Sequence, residues 1–168
     1  GSPDEQRRPW ASMLAGKPGF AHTPNAQIMT VAANPAPGDP LGRNLRLGAP
    51  LGVIGIELHT RRRNRMNGRV AALEDGSFTI QLDQSFGNCP QYIQARQPFF
   101  KASPESMSEP HPVENLGPLL SEHAATMVCG ADTFFIATAW ATAGNGEARE
   151  GVDVSHRGGR PRFVPVAV

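Results

Sequence analysis

The chain is short of cysteine, of aromatic residues, of long apolar runs and of net charge, and each shortage excludes something. Its two cysteines, Cys89 and Cys129, form no CxxC pair and no Cys/His metal pattern. They read as two reduced, buried thiols of a cytoplasmic protein. Aromatic residues are 7% of the chain, and 16 basic residues against 15 acidic ones leave a formal charge of +1. Neither supplies the field or the stacking surface that holds nucleic acid. No apolar run approaches the ~20 residues that cross a bilayer, and no signal peptide is visible. No membrane and no nucleic-acid partner are therefore expected. What is plentiful is Gly (18) and Pro (16) in 168 residues, with a hydrophobic fraction of 39%. That balance favours short strands joined by many turns over long helices.

The most informative pattern is an internal echo. Ser12-Met-Leu-Ala-Gly-Lys-Pro-Gly-Phe20 returns as Ser155-His-Arg-Gly-Gly-Arg-Pro-Arg-Phe163. The shared frame is Ser-x-x-x-Gly-[Lys/Arg]-Pro-x-Phe. Carried backward, it sets Gly1–Asp4 on Gly144–Glu147, a turn upon a turn. The spacing is too long for a solenoid unit and points to one supersecondary unit used twice. The second copy has an apolar strand before its turn, at Asp132–Thr138. The first copy begins at the turn and the second stops soon after its motif, so both units read as cut short.

Strands are expected at Arg8–Leu14, Gln27–Val31 and Leu51–Leu58. A hairpin is expected with arms Arg69–Leu73 and Ser77–Leu82 around Glu74-Asp75-Gly76. In its second arm Phe78, Ile80 and Leu82 share one face. Asp39 before Pro40 starts a short helix carrying Leu41, Leu45 and Leu47 and ending at Gly48. Ser103–Pro118 has no apolar period and reads as a linker. Ser121-Glu122 caps a helix that stops at Gly130, followed by strands at Thr133–Thr138 and Val152–His156. The chain then divides into a first strand-rich half (1–101), a linker (102–118) and a helix opening a second half (119–168).

Chemistry concentrates in two places. Arg61-Arg62-Arg63-Asn64-Arg65-Met66-Asn67-Gly68-Arg69 places five arginines in nine residues. A charge run is commonly a solvated face. On a strand, however, Arg61, Arg63 and Arg65 project one way and Arg62 and Asn64 the other, which offers several guanidinium forks to a phosphate. Ser155-His156-Arg157 beside Gly158-Gly159 is either a second set of anion or ring contacts or a decorated strand end. Phe86–Gln94, with Asn88, Cys89 and Tyr92, is turn chemistry or a ligand-facing segment. Ser12 lacks a nucleophile elbow, and His22 and Asp4 are not placed beside it by any pattern. The five histidines (22, 59, 111, 123 and 156) are scattered, which argues against a metal.

Together these strings resemble the pyridoxamine 5′-phosphate oxidase-like flavoproteins. The likeness is closest to the subgroup with two barrel halves in tandem, sometimes ahead of a ferredoxin-reductase module. It is carried by Arg8–Gly16, Gly55–Arg69 and Phe86–Gln94, and in the second half by Ala131–Thr138 and Gly151–Gly159. The resemblance implies a mainly β, split-barrel fold with a few short helices, a homodimer, and FMN in a cleft between protomers or halves. It implies flavin contacts along Trp10–Leu14, hence Ser12 and Met13, and phosphate contacts from Arg62, Arg63 and Arg65. It sets Ser155, His156 and Arg157 on the strand matching Ser12–Leu14, with His156 the best candidate for a catalytic group in an FMN-dependent oxidoreductase. A non-catalytic dimerisation or structural module without cofactor is the alternative. One departure stands out: Arg162 occupies the position of Gly19, and if that position needs a positive φ, arginine strains it.

Overall fold

The computed structural model describes residues 1–99, 114, 116–140 and 151–166. The expected linker falls largely outside these residues, and the Gly144–Gly146 turn wholly so. In chain order come β1 (Ser2–Pro3), β2 (Pro9–Trp10), β3 (Ala21–Asn25), β4 (Ile28–Val31), α1 (Leu41–Asn44), β5 (Pro50–Glu57), β6 (Arg62–Glu74), β7 (Ser77–Gly87), α2 (Glu122–Gly130), β8 (Thr133–Trp140) and β9 (Gly151–Gly158). Among the described residues the fold is mainly β, at 43% strand and 9% helix, and the strands do not close into a barrel.

β3-β4-β7-β6-β5 form one antiparallel sheet, and β1-β2 and β8-β9 form two smaller antiparallel pairs. The apolar alternation builds the core. Phe78, Ile80 and Leu82 share the buried face, as their spacing predicts, with Met29 and Val31 from β4 and Met66 and Val70 from β6. Ile80 is fully buried, which contributes about 1.5–3 kcal/mol. Leu41 of α1 and Leu51 of β5 close the cluster. Asp39 holds the start of α1, its Oδ1 accepting from the Leu41 N–H at 2.8 Å. The helix is one turn long and ends before Leu45 and Leu47.

Three local expectations are corrected. Arg8–Leu14 is not a continuous strand; only Pro9–Trp10 pairs, and it pairs with Ser2–Pro3. Gly1–Asp4 is not a turn, because Ser2–Pro3 is extended and the chain turns at Asp4–Arg7, where Asp4 takes hydrogen bonds from Arg8 and Trp10. Cys89 is exposed and Cys129 half-buried rather than both being interior; both are free thiols. The hairpin arms, by contrast, run further than their apolar residues, because the arginine run is paired on both sides, by β5 and by β7.

The sheet's second face carries the polar residues. Along β6, Arg63, Arg65, Asn67 and Arg69 alternate with Met66, Gly68 and Val70 and so share the side opposite the core. β9 lies against β5 and β6. Gly52 permits the close crossing: a Cβ there would fall on the Val152 carbonyl oxygen and 2.8 Å from Asp153 Cα.

Candidate functional site

Two segments that the sequence separates by 93 residues meet on this second face. Arg63 and Arg65 come from β6, and Ser155 and His156 from β9. Arg63 Nη1 is 3.1 Å from His156 Nδ1, and its Nη2 donates to Asn88 Oδ1 at 2.7 Å and to the Cys89 carbonyl at 2.6 Å. Arg65 Nη2 donates to Ser155 Oγ at 3.2 Å and forms an ion pair with Asp153. The Arg65 guanidinium also lies over the Phe86 ring, 5.6 Å from its centroid. Arg157 is exposed and donates to the His156 carbonyl at 3.0 Å.

The Phe86–Gln94 string supplies much of the frame. Besides Asn88 and Cys89, it packs the Tyr92 carbonyl against Gly158 and sends Gln94 Nε2 to the Gly159 carbonyl at 3.2 Å. Tyr92 takes φ 70°, a conformation that a bulky residue holds only when its surroundings enforce it. Arg96 pairs with Asp132 at the start of β8, so this end of the hairpin is tied down by charge as well.

The chemistry of the donors fixes one proton. A guanidinium only donates, so His156 Nδ1 is the acceptor and the neutral ring carries its hydrogen on Nε2. His156 is 4% exposed, with Phe135 edge-on at 5.5 Å. Burial, then Arg63 and Arg157, push its pKa below the ordinary 6.5. The same burial and the same two neighbours in role, Arg63 and Arg157, lower the Arg65 guanidinium from its usual value, although it stays charged. Four buried polar atoms on this face have no hydrogen-bond partner among the described residues: Arg63 Nε, Arg65 Nε and His156 Nε2 within the cluster, and Asn67 Oδ1 further along β6.

No family model, no curated protein and no solved structure matches this chain. Its site must therefore be read from its own geometry.

Five of the residues singled out from the sequence lie together in or beside this cluster: Arg63, Arg65, Ser155, His156 and Arg157. Three do not. Arg62 is exposed on the opposite side of β6. Ser12 donates to Asp39 Oδ1 at 2.6 Å, and Met13 is 70% exposed. Arg61, expected to share a face with Arg63, sits in the β5–β6 turn at φ 56° instead. The sequence reading missed Asp153, whose signal was its alternation with Ser155 on one strand. It also missed Asn88 as a partner for Arg63, for which no local signal existed. Among the described residues, no group of three or more His, Cys, Asp or Glu is arranged to hold a metal, and no helix is long and apolar enough to cross a membrane.

Chemically, the cluster is a buried donor set with surplus positive charge. Three arginines face one carboxylate, and three of the four unpartnered atoms are N–H donors. Such a set suits an acceptor-rich anion far better than it suits proton transfer. His156 is held neutral, and its acceptor nitrogen is already occupied by Arg63.

Proposed function

We propose that this chain is a split-barrel flavoprotein of the pyridoxamine 5′-phosphate oxidase-like kind, binding FMN and acting as an oxidoreductase. The observation that carries the reading is the convergence of Arg63 and Arg65 with Ser155 and His156, leaving Arg63 Nε, Arg65 Nε and His156 Nε2 as buried donors without acceptors. These residues fit a phosphate or the carbonyl-rich edge of a flavin. FMN, when bound, supplies the electron transfer. The protein's part is to anchor the phosphate with Arg63 and Arg65, assisted by Ser155 Oγ and Arg157. His156 then serves as a fixed neutral donor through Nε2 rather than as an acid or base. Dimerisation, which would complete a split-barrel site, and a cytoplasmic setting belong to the same proposal.

A second reading has its own observation. Both outer nitrogens of Arg63 already reach protein groups, at Asn88, Cys89 and His156, and Arg65 Nη2 reaches Ser155 and Asp153. A set of arginines spent in this way bolts β9 to the sheet, as a structural module without cofactor requires.

Flavin titration separates the two. On the flavoprotein reading FMN fluorescence is quenched on binding, and riboflavin, lacking the phosphate, binds at least about tenfold more weakly. Arg63→Met erases that FMN-over-riboflavin preference, while Arg62→Met leaves it intact. Absence of flavin binding by the folded chain sinks the oxidoreductase reading and leaves the structural module.

A further inference from the structure

A cleft of ≈ 390 Å³ opens further along the same face of β6, where the large sheet meets the β8–β9 pair. It belongs to a different stretch from the Arg63–His156 contacts, sharing with them only Asp153. Its walls combine acceptors with an aromatic plate. Asn67 lines it and carries the buried, unpartnered Oδ1. Asp83 and Gln84 come from β7, Asp153 from β9, and Arg69 from β6. Trp140, at the end of β8, is 65% exposed on the rim.

Asp83 reaches this position through a break in the ladder. Asn67 pairs with Gln84 and Gly68 with Leu82, so Asp83 is an extra residue on β7, a β-bulge. Bulges turn a side chain out of its ordinary alternation and gather beside binding sites. Here the bulge brings a carboxylate into the lining of a cleft that is also lined by Asn67, with its unsatisfied acceptor, and by the solvent-exposed Trp140. An unpaired buried acceptor is destabilising, and an exposed tryptophan leaves a large apolar face in water. One occupant relieves both.

We infer that this cleft binds a flat nitrogen heterocycle bearing N–H donors, stacked on Trp140 with its donor edge toward Asp83 and Asn67. The volume falls within the range of small-ligand sites. Carboxylate and amide acceptors select for N–H groups, because a ring without donors leaves them unpaired. The ring has two possible sources: that of the flavin itself, or a free base that binds beside it. The inference does not rest on the flavin reading, since none of its groups is one of the proposed phosphate anchors.

Xanthine and caffeine make the test, because caffeine is the same ring system with each N–H hydrogen replaced by methyl. By calorimetry and saturation-transfer NMR on the intact chain, xanthine should bind and caffeine should bind at least about tenfold more weakly. Trp140→Ala, at a residue that is 65% exposed, should weaken xanthine by roughly tenfold. Asp83→Asn should narrow the xanthine-over-caffeine ratio. Equal binding of the two rings, or no binding of xanthine, overturns the inference, as does unchanged affinity in Trp140→Ala. FMN then separates the sources: displacement of xanthine assigns the cleft to the flavin ring, and simultaneous binding assigns it to a free base. FMN binding without any xanthine binding overturns this inference while leaving the flavoprotein reading in place.

Discussion

The two copies of the Ser-x-x-x-Gly-[Lys/Arg]-Pro-x-Phe motif make the same turn and do different work. In the first, the Phe20 N–H donates to the Lys17 carbonyl at 3.0 Å; in the second, the Phe163 N–H donates to the Arg160 carbonyl at 2.9 Å. Both have proline at the second turn position and a positive φ at the third, 91° at Gly19 and 71° at Arg162. In both, the phenylalanine folds back over the preceding glycine, where a Cβ would meet the ring carbons or Cβ at under 3 Å. Upstream of the turn the copies part. Ser155 and His156 lie on an eight-residue strand against the arginine row, whereas Ser12 lies outside any strand and donates its hydroxyl hydrogen to Asp39 Oδ1. A turn is dictated by its own residues. A strand needs a partner, and β9 has β8 and the crossing at Gly52 while Ala11–Gly16 has no paired neighbour among the described residues.

The crossing is where the second copy breaks most easily. Gly52→Val places side-chain atoms on the backbone of Val152 and Asp153, which neither flexes nor rotates away. A loss of about 3 kcal/mol or more is expected in urea unfolding. Gly55→Val is the control on the same strand, because a Cβ there meets nothing within 4 Å. It should be neutral within about 0.5 kcal/mol. Equal losses at both positions would mean that β9 does not cross β5 at Gly52.

A smaller effect probes the charge that holds the crossing. Arg65→Met leaves Asp153 without its cation and Ser155 Oγ without its donor. Asp153 remains partly open to water, so the cost is about 1–2 kcal/mol rather than that of a fully buried broken pair. Combined with Asp153→Asn, a double-mutant cycle should give a coupling of about 1 kcal/mol. Zero coupling would reduce the pair to a surface contact and free Arg65 for an outside anion.

How much of this was legible follows the same division. The Ser121 cap, the apolar alternation of β7 and the strands at both ends of the second copy are local, and they are read correctly because local residues cause them: Ser121 Oγ does accept from the Ala124 N–H. The strand expected at Arg8–Leu14 fails because apolar residues there lack a neighbour to pair with, a fact no local pattern carries. For the site, residue type revealed the arginines and Ser155-His156-Arg157. Their meeting depends on Gly52 and on Asn88, whose roles exist only across the tertiary fold. Periodicity sorted Arg63 and Arg65 onto one face, yet Arg61 escapes it because the β5–β6 turn takes it out of the strand.

Acid sharpens the comparison further, since Met13 stands where the second copy has His156 and cannot titrate. His156 is buried and neutral, with its pKa below 6.5, through desolvation first and then Arg63 and Arg157. The unfolded chain takes up that proton at the ordinary value. As pH falls below 6.5 the unfolded state therefore binds a proton that the folded state refuses, and stability declines, by at most about 1.4 kcal/mol per pH unit, until the folded value is passed. His156→Gln keeps an acceptor for Arg63 and does not titrate. Unfolding free energies between pH 7 and 5 should slope in both chains, because burial also lowers the Gly1 amine to about 5, and the slope should be shallower in the variant. An equal slope in both would show that His156 is not the group responsible.

The smallest effect lies in the turn the copies share. Arg162 holds φ 71° against a penalty that glycine does not face, and its N–H gains a hydrogen bond to the Cys129 carbonyl at 2.7 Å. Arg162→Gly keeps that hydrogen bond, removes the steric cost and adds back the freedom of an unfolded glycine, for a net gain of about 0.5 kcal/mol. Gly19→Arg imposes the same steric cost on the first copy without the extra hydrogen bond and should lose about 1 kcal/mol. The opposite signs are the informative part. They follow from the same positive-φ turn position at two sites with different residues, so a gain from both substitutions, or a loss from both, would mean that the two turns are not the same turn. If Arg162→Gly stabilises the fold yet weakens retention of FMN, the strain has been kept for the guanidinium rather than for the turn.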